Sequence, residues 1–247
     1  MNSSIVAATL SLMTASSVAA SGGENIEWGY AGPEGPHNWG RLAPEFEICE
    51  SGKNQSPIDL TGFIEADLPP ILFKYDTLST EIVNTGHSLQ TDAVGGGSIE
   101  VSGQVFELKQ FHFHTPSENH IEGKSFAMEA HLVHEGSNRS LAVVAVLFEE
   151  GAENPAIAKL WAQMPRQPGD RQTVPGRFSA SELLPANKDY YRFNGSLTKP
   201  PCTEGVWWFV MKEPLTVSQA QVDSFLEVLH HENNRPVRPV NARPILQ

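Results

Sequence analysis

A succession of short strand-like runs most limits how this chain can fold. Between residues 71 and 151, runs that alternate polar and apolar residues, or are rich in Val, Ile and Phe, follow one another: ILFKY, STEIVN, SLQTDAV, SIEVSG, QVFELKQFHFH, SFAMEAHLVHEG and SLAVVAVLFEEG. They recur about every ten residues and are separated by Gly, Asn and Ser, as in sheets whose strands are joined by turns. The pattern predicts a mainly β fold with one large, mostly antiparallel sheet.

Two segments have a helical spacing of apolar residues instead. NPAIAKLWAQMP runs from beside Pro155 to Pro165, and SQAQVDSFLEVLHH starts at Ser218, a residue type that caps helix N-termini. Residues 21–60 have neither period, so we expect a long ordered coil there that wraps over the domain. No repeat or linker interrupts the sequence, and the simplest organisation is a single domain over residues 21–247.

The first twenty residues, MNSSIVAATLSLMTASSVAA, predict a secretory signal peptide. They contain no acidic residue, a short apolar stretch and the small-residue end Val18-Ala19-Ala20. No Lys or Arg follows Met1, and the alternative is a disordered polar N-terminus. No segment reaches eighteen consecutive apolar residues, so we predict no transmembrane helix.

Cys49 and Cys202 are the two cysteines of the chain. In an exported protein they would pair as a disulfide that closes a very long loop. The alternative is a pair of buried free thiols. A zinc site made from these cysteines is disfavoured because neither has a neighbouring ligand in the sequence.

Acidic residues outnumber basic ones by 29 to 17, which gives a formal net charge of −12. Nucleic-acid binding needs clustered Lys and Arg, so this composition argues against nucleic acid as a partner. The acidic residues are scattered, as on a solvated surface.

Three histidines are expected to converge on one face of the sheet. Side chains alternate between the two faces of a strand, so Gln110, His112 and His114 share a face, as do Glu129 and His131. If these two strands are neighbours, the three imidazoles meet. Three neutral imidazoles suit a catalytic zinc ion that keeps a fourth position open.

Gln110 and Glu129 each stand two residues before a histidine, on the same face as the three imidazoles. They can therefore accept the second N–H of a ligating ring, although spacing does not decide which ring each one holds. The alternative for any histidine pair is an exposed or structurally satisfied position. We predict such a structural or exposed position for the histidines in turns, on the opposite face or at a helix end: His120, His134, His230 and His231.

The sequence is also similar to the α-class carbonic anhydrases, from Trp28 to about Arg243. The similarity is carried by separated motifs: WGYAGPEGPHNW, QSPIDL, NTGHS, QFHFHTPSEN, EAHLVH, GSLTKPPCTEGVWW and NNRPVRPVNAR. The resemblance implies one large twisted, mostly antiparallel sheet with short peripheral helices and a zinc ion at the bottom of a conical cleft. It implies reversible hydration of carbon dioxide to bicarbonate and a proton by zinc-bound hydroxide.

The resemblance also implies roles for individual residues. His112, His114 and His131 become the zinc ligands, and Gln110, Glu129 and the backbone carbonyl of Asn233 become their supports. Thr198 and Glu118 match a pair that orients the hydroxide, His87 matches the proton shuttle, and Tyr30 matches a residue that orders water. From the residues alone, Glu118 would be a solvated loop carboxylate and His87 a surface histidine in a turn.

The binding region for carbon dioxide is implied by a set of mostly apolar residues: Val133, Val143, Leu197, Val206 and Trp208. Lys199 stands where many members have a second threonine, and it either lies beside bicarbonate or reaches to the rim of the cleft. Cys49 and Cys202 match a disulfide of exported members.

The implied location is a bacterial periplasm, and the implied partner is a small-molecule substrate. A homodimer stays open. Two other functions stay open as well. One is a catalytically silent zinc-binding module of the same fold, although such proteins typically lack a zinc histidine. The other is a non-haem iron enzyme, which usually needs two histidines and one carboxylate as direct ligands.

Overall fold

The computed structural model describes residues 26–75, 81–93, 96–174, 176 and 178–247. Within these ranges the chain is built on one large sheet with a few short helices, so the prediction of a mainly β fold is confirmed. The predicted signal peptide, residues 1–20, lies outside the described residues.

Thirteen strands, numbered here β1 to β13 in chain order, occupy the described ranges. They are Asp59–Leu60, Leu72–Lys74, Glu81–Asn84, Leu89–Asp92, Ser98–Val101, Gln104–His114, His120–Ile121, Met128–Gly136, Leu141–Glu150, Arg171–Thr173, Tyr190–Ser196, Glu204–Met211 and Leu215–Val217. Every strand-like run found in the sequence between residues 71 and 151 contributes one of them.

The strand order of the main sheet explains its mixed character. Along the sheet the order is β10-β3-β4-β6-β8-β9-β12-β11, with β5 and then β2 added beside β6 and β13 paired with β9. Most of these pairings are antiparallel, but β12 and β13 both pair with β9 in parallel. β1 and β7 form a separate parallel pair.

The helices are short. α1 to α4 span Trp39–Leu42, Ile48–Ser51, Pro155–Trp161 and Gln219–Leu229. Ser218 caps α4 in a capping box with Gln221, as its residue type predicts. The expectation of plain coil before residue 60 was wrong in part, because α1, α2 and two 3-10 turns lie there. Helices of four residues are too short to produce a periodic pattern in the sequence.

The alternation of side chains separates two hydrophobic layers. Phe111, Phe113 and Leu132 are fully buried in the larger cluster on one face of the sheet. Val143 and Trp208 belong to the smaller cluster on the other face. The face with the smaller cluster is also the histidine face, because His131 lies between Ala130 and Leu132 on β8 and points away from the larger cluster.

A disulfide and a buried arginine link the N-terminal segment to later parts of the chain. Cys49 and Cys202 form a disulfide with Cα atoms 5.1 Å apart, which confirms the predicted pairing. The buried guanidinium of Arg235 donates hydrogen bonds to the backbone oxygens of Cys49 and Ser56, both at 2.7 Å, and to Oε1 of Gln55 at 2.9 Å. The loop after β11 and the C-terminal segment are thereby both attached to the N-terminal segment.

None of the described helices is both long and apolar enough to span a membrane.

Candidate metal centre

The pairing of β6 with β8 brings three imidazoles together. His112 lies directly opposite His131, and His114 lies opposite Glu129. The ring centroids of the three histidines are 4.6 to 5.4 Å apart. One ring nitrogen of each lies within 4.8 Å of those of the other two, and all three residues are buried. The convergence predicted from strand alternation is therefore present.

Each of these rings has one nitrogen held by an oxygen acceptor. Nδ1 of His112 lies 2.8 Å from Oε1 of Gln110, and Nε2 of His131 lies 2.9 Å from Oε1 of Glu129. Nδ1 of His114 lies 2.7 Å from the backbone oxygen of Asn233. Because these partners can only accept, the three nitrogens carry protons and donate.

The opposite nitrogens are left with lone pairs, namely Nε2 of His112, Nε2 of His114 and Nδ1 of His131. Nε2 of His114 is buried and makes no hydrogen bond within the described chain. Burial holds the pKa of His112 and of His114 well below the ordinary value, and the charges of neighbouring histidines and Lys199 lower it further. Neutral, preoriented imidazoles with unused lone pairs are the donor set that a zinc ion prefers.

Glu129 is fixed by more than its histidine. Oε2 of this buried carboxylate accepts the backbone N–H groups of Glu118 and Asn119, both at 2.8 Å, and Oε1 accepts the side-chain amide of Asn119 at 2.7 Å. Four hydrogen bonds, counting the one from His131, keep this carboxylate in one orientation, which orients the His131 ring in turn.

Glu118 is fully buried beside the triad, and not a solvated loop carboxylate as the residues alone suggested. Oε1 accepts the backbone N–H of Arg235 at 2.8 Å. Oε2 lies 3.5 Å from Nε2 of His114 and 3.8 Å from Nδ1 of His131. Burial raises the pKa of Glu118 to about 7, although His131 and the side chain of Thr198 act to lower it.

The side chain of Asn233 connects several parts of the site. Its Oδ1 accepts the backbone N–H of Thr115 at 2.8 Å. Its Nδ2 donates to the backbone oxygens of His87 and Phe113, both at 2.9 Å. The segment that holds His114 therefore also holds the turn that carries His87.

His87 stands in a tight turn between β3 and β4. Gly86 has φ of 81°, a conformation that favours glycine, and its N–H donates to Oδ1 of Asn84 at 2.8 Å. The ring of His87 stacks on Trp28 with centroids 3.9 Å apart, and both residues line a cavity of about 440 Å³. Burial lowers the pKa of His87, and the charges of Lys199 and His231 lower it further.

Tyr30 lies between the histidine turn and the C-terminal segment. Its ring centroid is 6.4 Å from that of His87 and 6.0 Å from that of His231. Burial raises the pKa of Tyr30 well above the ordinary value, and the negative charge of Glu118 adds to this effect. Its phenol is therefore protonated over the whole neutral range.

The five apolar residues predicted to bind carbon dioxide all lie at the smaller hydrophobic cluster. Val143, Val206 and Trp208 are buried in it, and Val133 and Leu197 pack against it. The ring of Trp208 is 4.9 Å from that of His131, so this apolar surface begins at the triad.

Lys199 follows Thr198 in the loop after β11. Burial lowers its pKa, whereas the charge of Glu118 raises it. Its charge acts in turn on His87, His112 and His114. A cation therefore lies within electrostatic range of both the triad and the histidine turn.

Sequence reasoning missed two residues that support the site. Asn119 fixes Glu129, and Arg235 fixes Glu118 through its backbone N–H. Asn119 lies in the motif PSEN and Arg235 in the motif NNRPVRP. Nothing in the spacing of these two residues relates them to the histidines. His134 is one of the four histidines predicted to be structural or exposed. It lies on the opposite face, with Nε2 2.8 Å from the hydroxyl of Tyr75.

Comparison with known proteins gives a consistent result. The family model for eukaryotic-type carbonic anhydrases matches residues 34–247. A carbonic anhydrase of Neisseria gonorrhoeae is 45% identical over 230 residues, which cover 93% of this chain and 91% of that protein. One from Pectobacterium atrosepticum is 40% identical over 238 residues, covering 96% and 98%.

Solved structures agree with the sequence comparisons. The α-carbonic anhydrase from Thermovibrio ammonificans, in complex with the inhibitor sulfanilamide, has a TM-score of 0.88 and 45% identity. It covers 91% of this chain and 100% of its own. The α-carbonic anhydrase from Photobacterium profundum has a TM-score of 0.85, also at 45% identity. The similarity extends over nearly the whole of the described chain.

Proposed function

This chain belongs to the eukaryotic-type, or α-class, carbonic anhydrase family, and from that premise we propose that it hydrates carbon dioxide reversibly to bicarbonate and a proton at a zinc centre. The single observation that carries the proposal is the donor set of the triad. Three buried imidazoles converge. In each, one nitrogen donates a hydrogen bond to an oxygen acceptor, and the other keeps its lone pair.

The donor set fits zinc in its chemistry. His112, His114 and His131 would hold the ion, with Gln110, Asn233 and Glu129 keeping each ring in the required tautomer. A bound zinc ion lowers the pKa of a water molecule to about 7 and so makes a nucleophile available at neutral pH. Glu129 is not available as the direct carboxylate ligand expected of a non-haem iron centre, because it accepts hydrogen bonds from His131 and from three N–H groups.

Glu118 and Thr198 would orient the nucleophile. The carboxylate of Glu118 is held by the backbone N–H of Arg235, and it would accept a hydrogen bond from the hydroxyl of Thr198. A hydroxyl that donates its hydrogen to Glu118 can still accept a hydrogen bond from the nucleophile through its oxygen. The positive charge of a divalent ion nearby favours the ionised carboxylate that this role requires.

The apolar surface beside the triad suits the substrate. Carbon dioxide is small and carries no net charge, so a dry wall next to the metal holds it without competing hydrogen bonds. Val143, Val206 and Trp208 are buried, and the Trp208 ring contacts the His131 side of the triad. Val133 and Leu197 extend this wall. Lys199 would attract the product bicarbonate electrostatically.

His87 would carry the released proton to buffer. An imidazole exchanges protons at neutral pH. The turn that carries it is fastened to Asn233, and its ring is packed against Trp28 at the edge of a cavity. Tyr30, which stays protonated, would help to order water between His87 and the metal centre.

We also infer that the protein is exported, with residues 1–20 as signal peptide, residues 21–247 as the mature domain and a bacterial periplasm as its location. The Cys49–Cys202 disulfide supports this, because such bonds persist in oxidising compartments. N-terminal sequencing of the protein from a periplasmic fraction, with a new terminus near Ser21, tests it; an intact Met1 in the cytoplasmic fraction would contradict it.

The test of the reaction is metal analysis combined with stopped-flow carbon dioxide hydration before and after chelation. We expect one zinc per chain, loss of hydration with the metal, and recovery on adding zinc back. His112→Ala should lose both, whereas His120→Ala, which changes a half-buried histidine of β7, should lose neither. A zinc-loaded protein with no hydration would favour a silent binding module, and bound iron with oxygen-dependent turnover would favour an oxygenase.

A further inference from the structure

The ammonium group of Lys199 lies within electrostatic range of both the histidine triad and His87. Its positive charge lowers the pKa of His87 and also that of His112 and of His114. The negative charge of Glu118 acts back on it and raises the pKa of Lys199. Coulomb interactions fade with distance, so these four titratable groups locate the ammonium group inside the proposed site.

The backbone around Lys199 is held in place. Its carbonyl oxygen accepts the backbone N–H of Cys202 at 2.8 Å, and Cys202 is bound to Cys49 by the disulfide. The two neighbours in the chain, Thr198 and Pro200, are both buried. The lysine side chain therefore starts from a fixed part of the loop after β11.

The ammonium group of Lys199 has no partner among the residues that the structure describes, neither in an ion pair nor in a hydrogen bond. The side chain is nevertheless partly buried. Burial disfavours the charged form and lowers the pKa of Lys199, against the effect of Glu118. More of this amine is therefore uncharged at neutral pH than in an exposed lysine, and an uncharged amine is a nucleophile.

Two other lysines show what sets Lys199 apart. The ammonium group of Lys109 donates to Oε2 of Glu107 at 2.9 Å, and this hydrogen bond raises the pKa of Lys109. Burial lowers the pKa of Lys188, but its ammonium group donates to the backbone oxygen of Pro185. Lys199 combines a lowered pKa with an ammonium group that no described residue holds.

The electrophile for such an amine is the substrate of the proposed function. Leu197, two residues before Lys199, packs against the apolar cluster that is proposed to hold carbon dioxide. The carbon atom of carbon dioxide is electrophilic, and an uncharged amine adds to it without a catalyst. Nucleophile and electrophile would therefore meet in the same cleft.

We propose that Lys199 is a site of reversible carbamate formation with carbon dioxide. The ammonium group first loses a proton to water. The lone pair of Nζ then forms a bond to the carbon of carbon dioxide, one C–O π pair moves onto oxygen, and a second proton leaves Nζ for water or buffer. No atom is oxidised or reduced, and no further reactant is needed.

The modification replaces a positive charge by a negative one inside the site. The carbamate would no longer attract bicarbonate, and it would raise the pKa of His87 instead of lowering it. Carbamate formation needs only dissolved carbon dioxide, whereas its effect on turnover rests on the proposed function. High carbon dioxide would thus change the charge of the site that consumes it.

The test is to trap the adduct in the zinc-loaded mature protein. The protein is equilibrated with ¹³C-labelled carbon dioxide at neutral pH and treated with triethyloxonium, which converts a carbamate into a stable ethyl ester. Peptide mass spectrometry then locates the labelled ethoxycarbonyl group. We expect it on Lys199, in an amount that rises with carbon dioxide and saturates. Lys109 and Lys188 should carry no more label than in a sample kept free of carbon dioxide.

Lys199→Arg is the matched variant, because a guanidinium keeps the positive charge but is not deprotonated in proteins. Proton NMR of the His87 ring supplies a second measurement. Carbon dioxide should raise the pKa of His87 in the unchanged protein more than in Lys199→Arg. Anions bound elsewhere in the site act on both proteins alike, so the difference reports the lysine.

Three results would overturn the proposal: no label on Lys199, equal labelling of Lys199 and Lys109, or the same rise in the pKa of His87 in Lys199→Arg. Trapping uses the unchanged protein, so it decides the matter even if the variant fails to fold. Absence of hydration would bear on the proposed function and not on this site, because trapping measures a covalent bond and carbon dioxide is supplied directly.

Discussion

The imidazole of His87 is stacked on the indole of Trp28, with ring centroids 3.9 Å apart and an angle of 12° between the planes. The contact holds the histidine at the edge of a cavity that both residues line. An imidazole in that position can exchange protons with buffer. The role of His87 is therefore open to a direct kinetic test.

His87→Ala should slow turnover in weak buffer by about a hundredfold, the lower range for loss of a positioned acid–base group. kcat/KM should stay nearly unchanged, because proton release follows the attack on carbon dioxide. Stopped-flow hydration at several buffer concentrations measures both. Added imidazole should restore kcat, and a variant that imidazole does not rescue would remove the proton-transfer role.

Lys199→Met should raise the pKa of His87. Lys199 is one of the charges that lower this pKa, and removing a nearby positive charge favours the protonated ring. His87 must be neutral to accept a proton, so the acidic limb of the kcat profile should move to higher pH. Lys74→Met, which changes an exposed lysine paired with Glu100, is the control. A limb that stays in place or moves to lower pH would contradict the electrostatic account.

Glu129→Gln should weaken zinc binding by about 10- to 100-fold. The carboxylate accepts from His131 and from three N–H groups, and an amide can accept with one side only. The NH2 group of the glutamine then faces N–H donors and cannot accept from them. We expect this to lower the free energy of unfolding by about 1–3 kcal/mol. The measurement is the rate of zinc transfer to a chelator.

Glu135→Gln is the control for that experiment, because it lies on the same strand and face but at the outer end of β8. It should retain zinc like the unchanged protein. Equal zinc loss from both variants would mean that the network around Glu129 does not matter for the metal.

Replacing both Cys49 and Cys202 by Ser should lower the free energy of unfolding by about 2–5 kcal/mol. The bond joins residues 153 apart, and without it the unfolded chain gains a large amount of conformational freedom. Urea unfolding of the two proteins measures the difference. Reduction of the unchanged protein should give the same midpoint as the double variant, and equal midpoints before and after reduction would exclude a stabilising bond.

The sequence predicted the triad because two local rules suffice for it. Alternation sets the shared face of His112 and His114. β6 and β8 are separated in the chain only by a short connection that contains the two-residue β7, and they are neighbours in the sheet. A β-bulge between Leu108 and Gln110 was not foreseen, yet it decides that Gln110 and Glu107 lie on the same face. Whether Gln110 or Glu129 holds a given ring also needed coordinates.

Long-range partners were beyond local rules. Asn233 and Arg235 lie 119 and 117 residues after the groups they hold, His114 and Glu118. Only the resemblance to a family indicated Asn233, and nothing indicated Arg235. The burial of Glu118 was likewise hidden, because a Ser-Glu-Asn sequence in a loop is typical of exposed turns.

The order in which the chain is made gives these distant contacts a further consequence. Synthesis runs from the N-terminus, so His114 and Glu118 leave the ribosome long before Asn233 and Arg235 exist. Until those last residues arrive, one ligand ring has no acceptor to fix its tautomer and one buried carboxylate lacks a donor. The site can therefore be completed only after the segment that carries Asn233 and Arg235 has been synthesised.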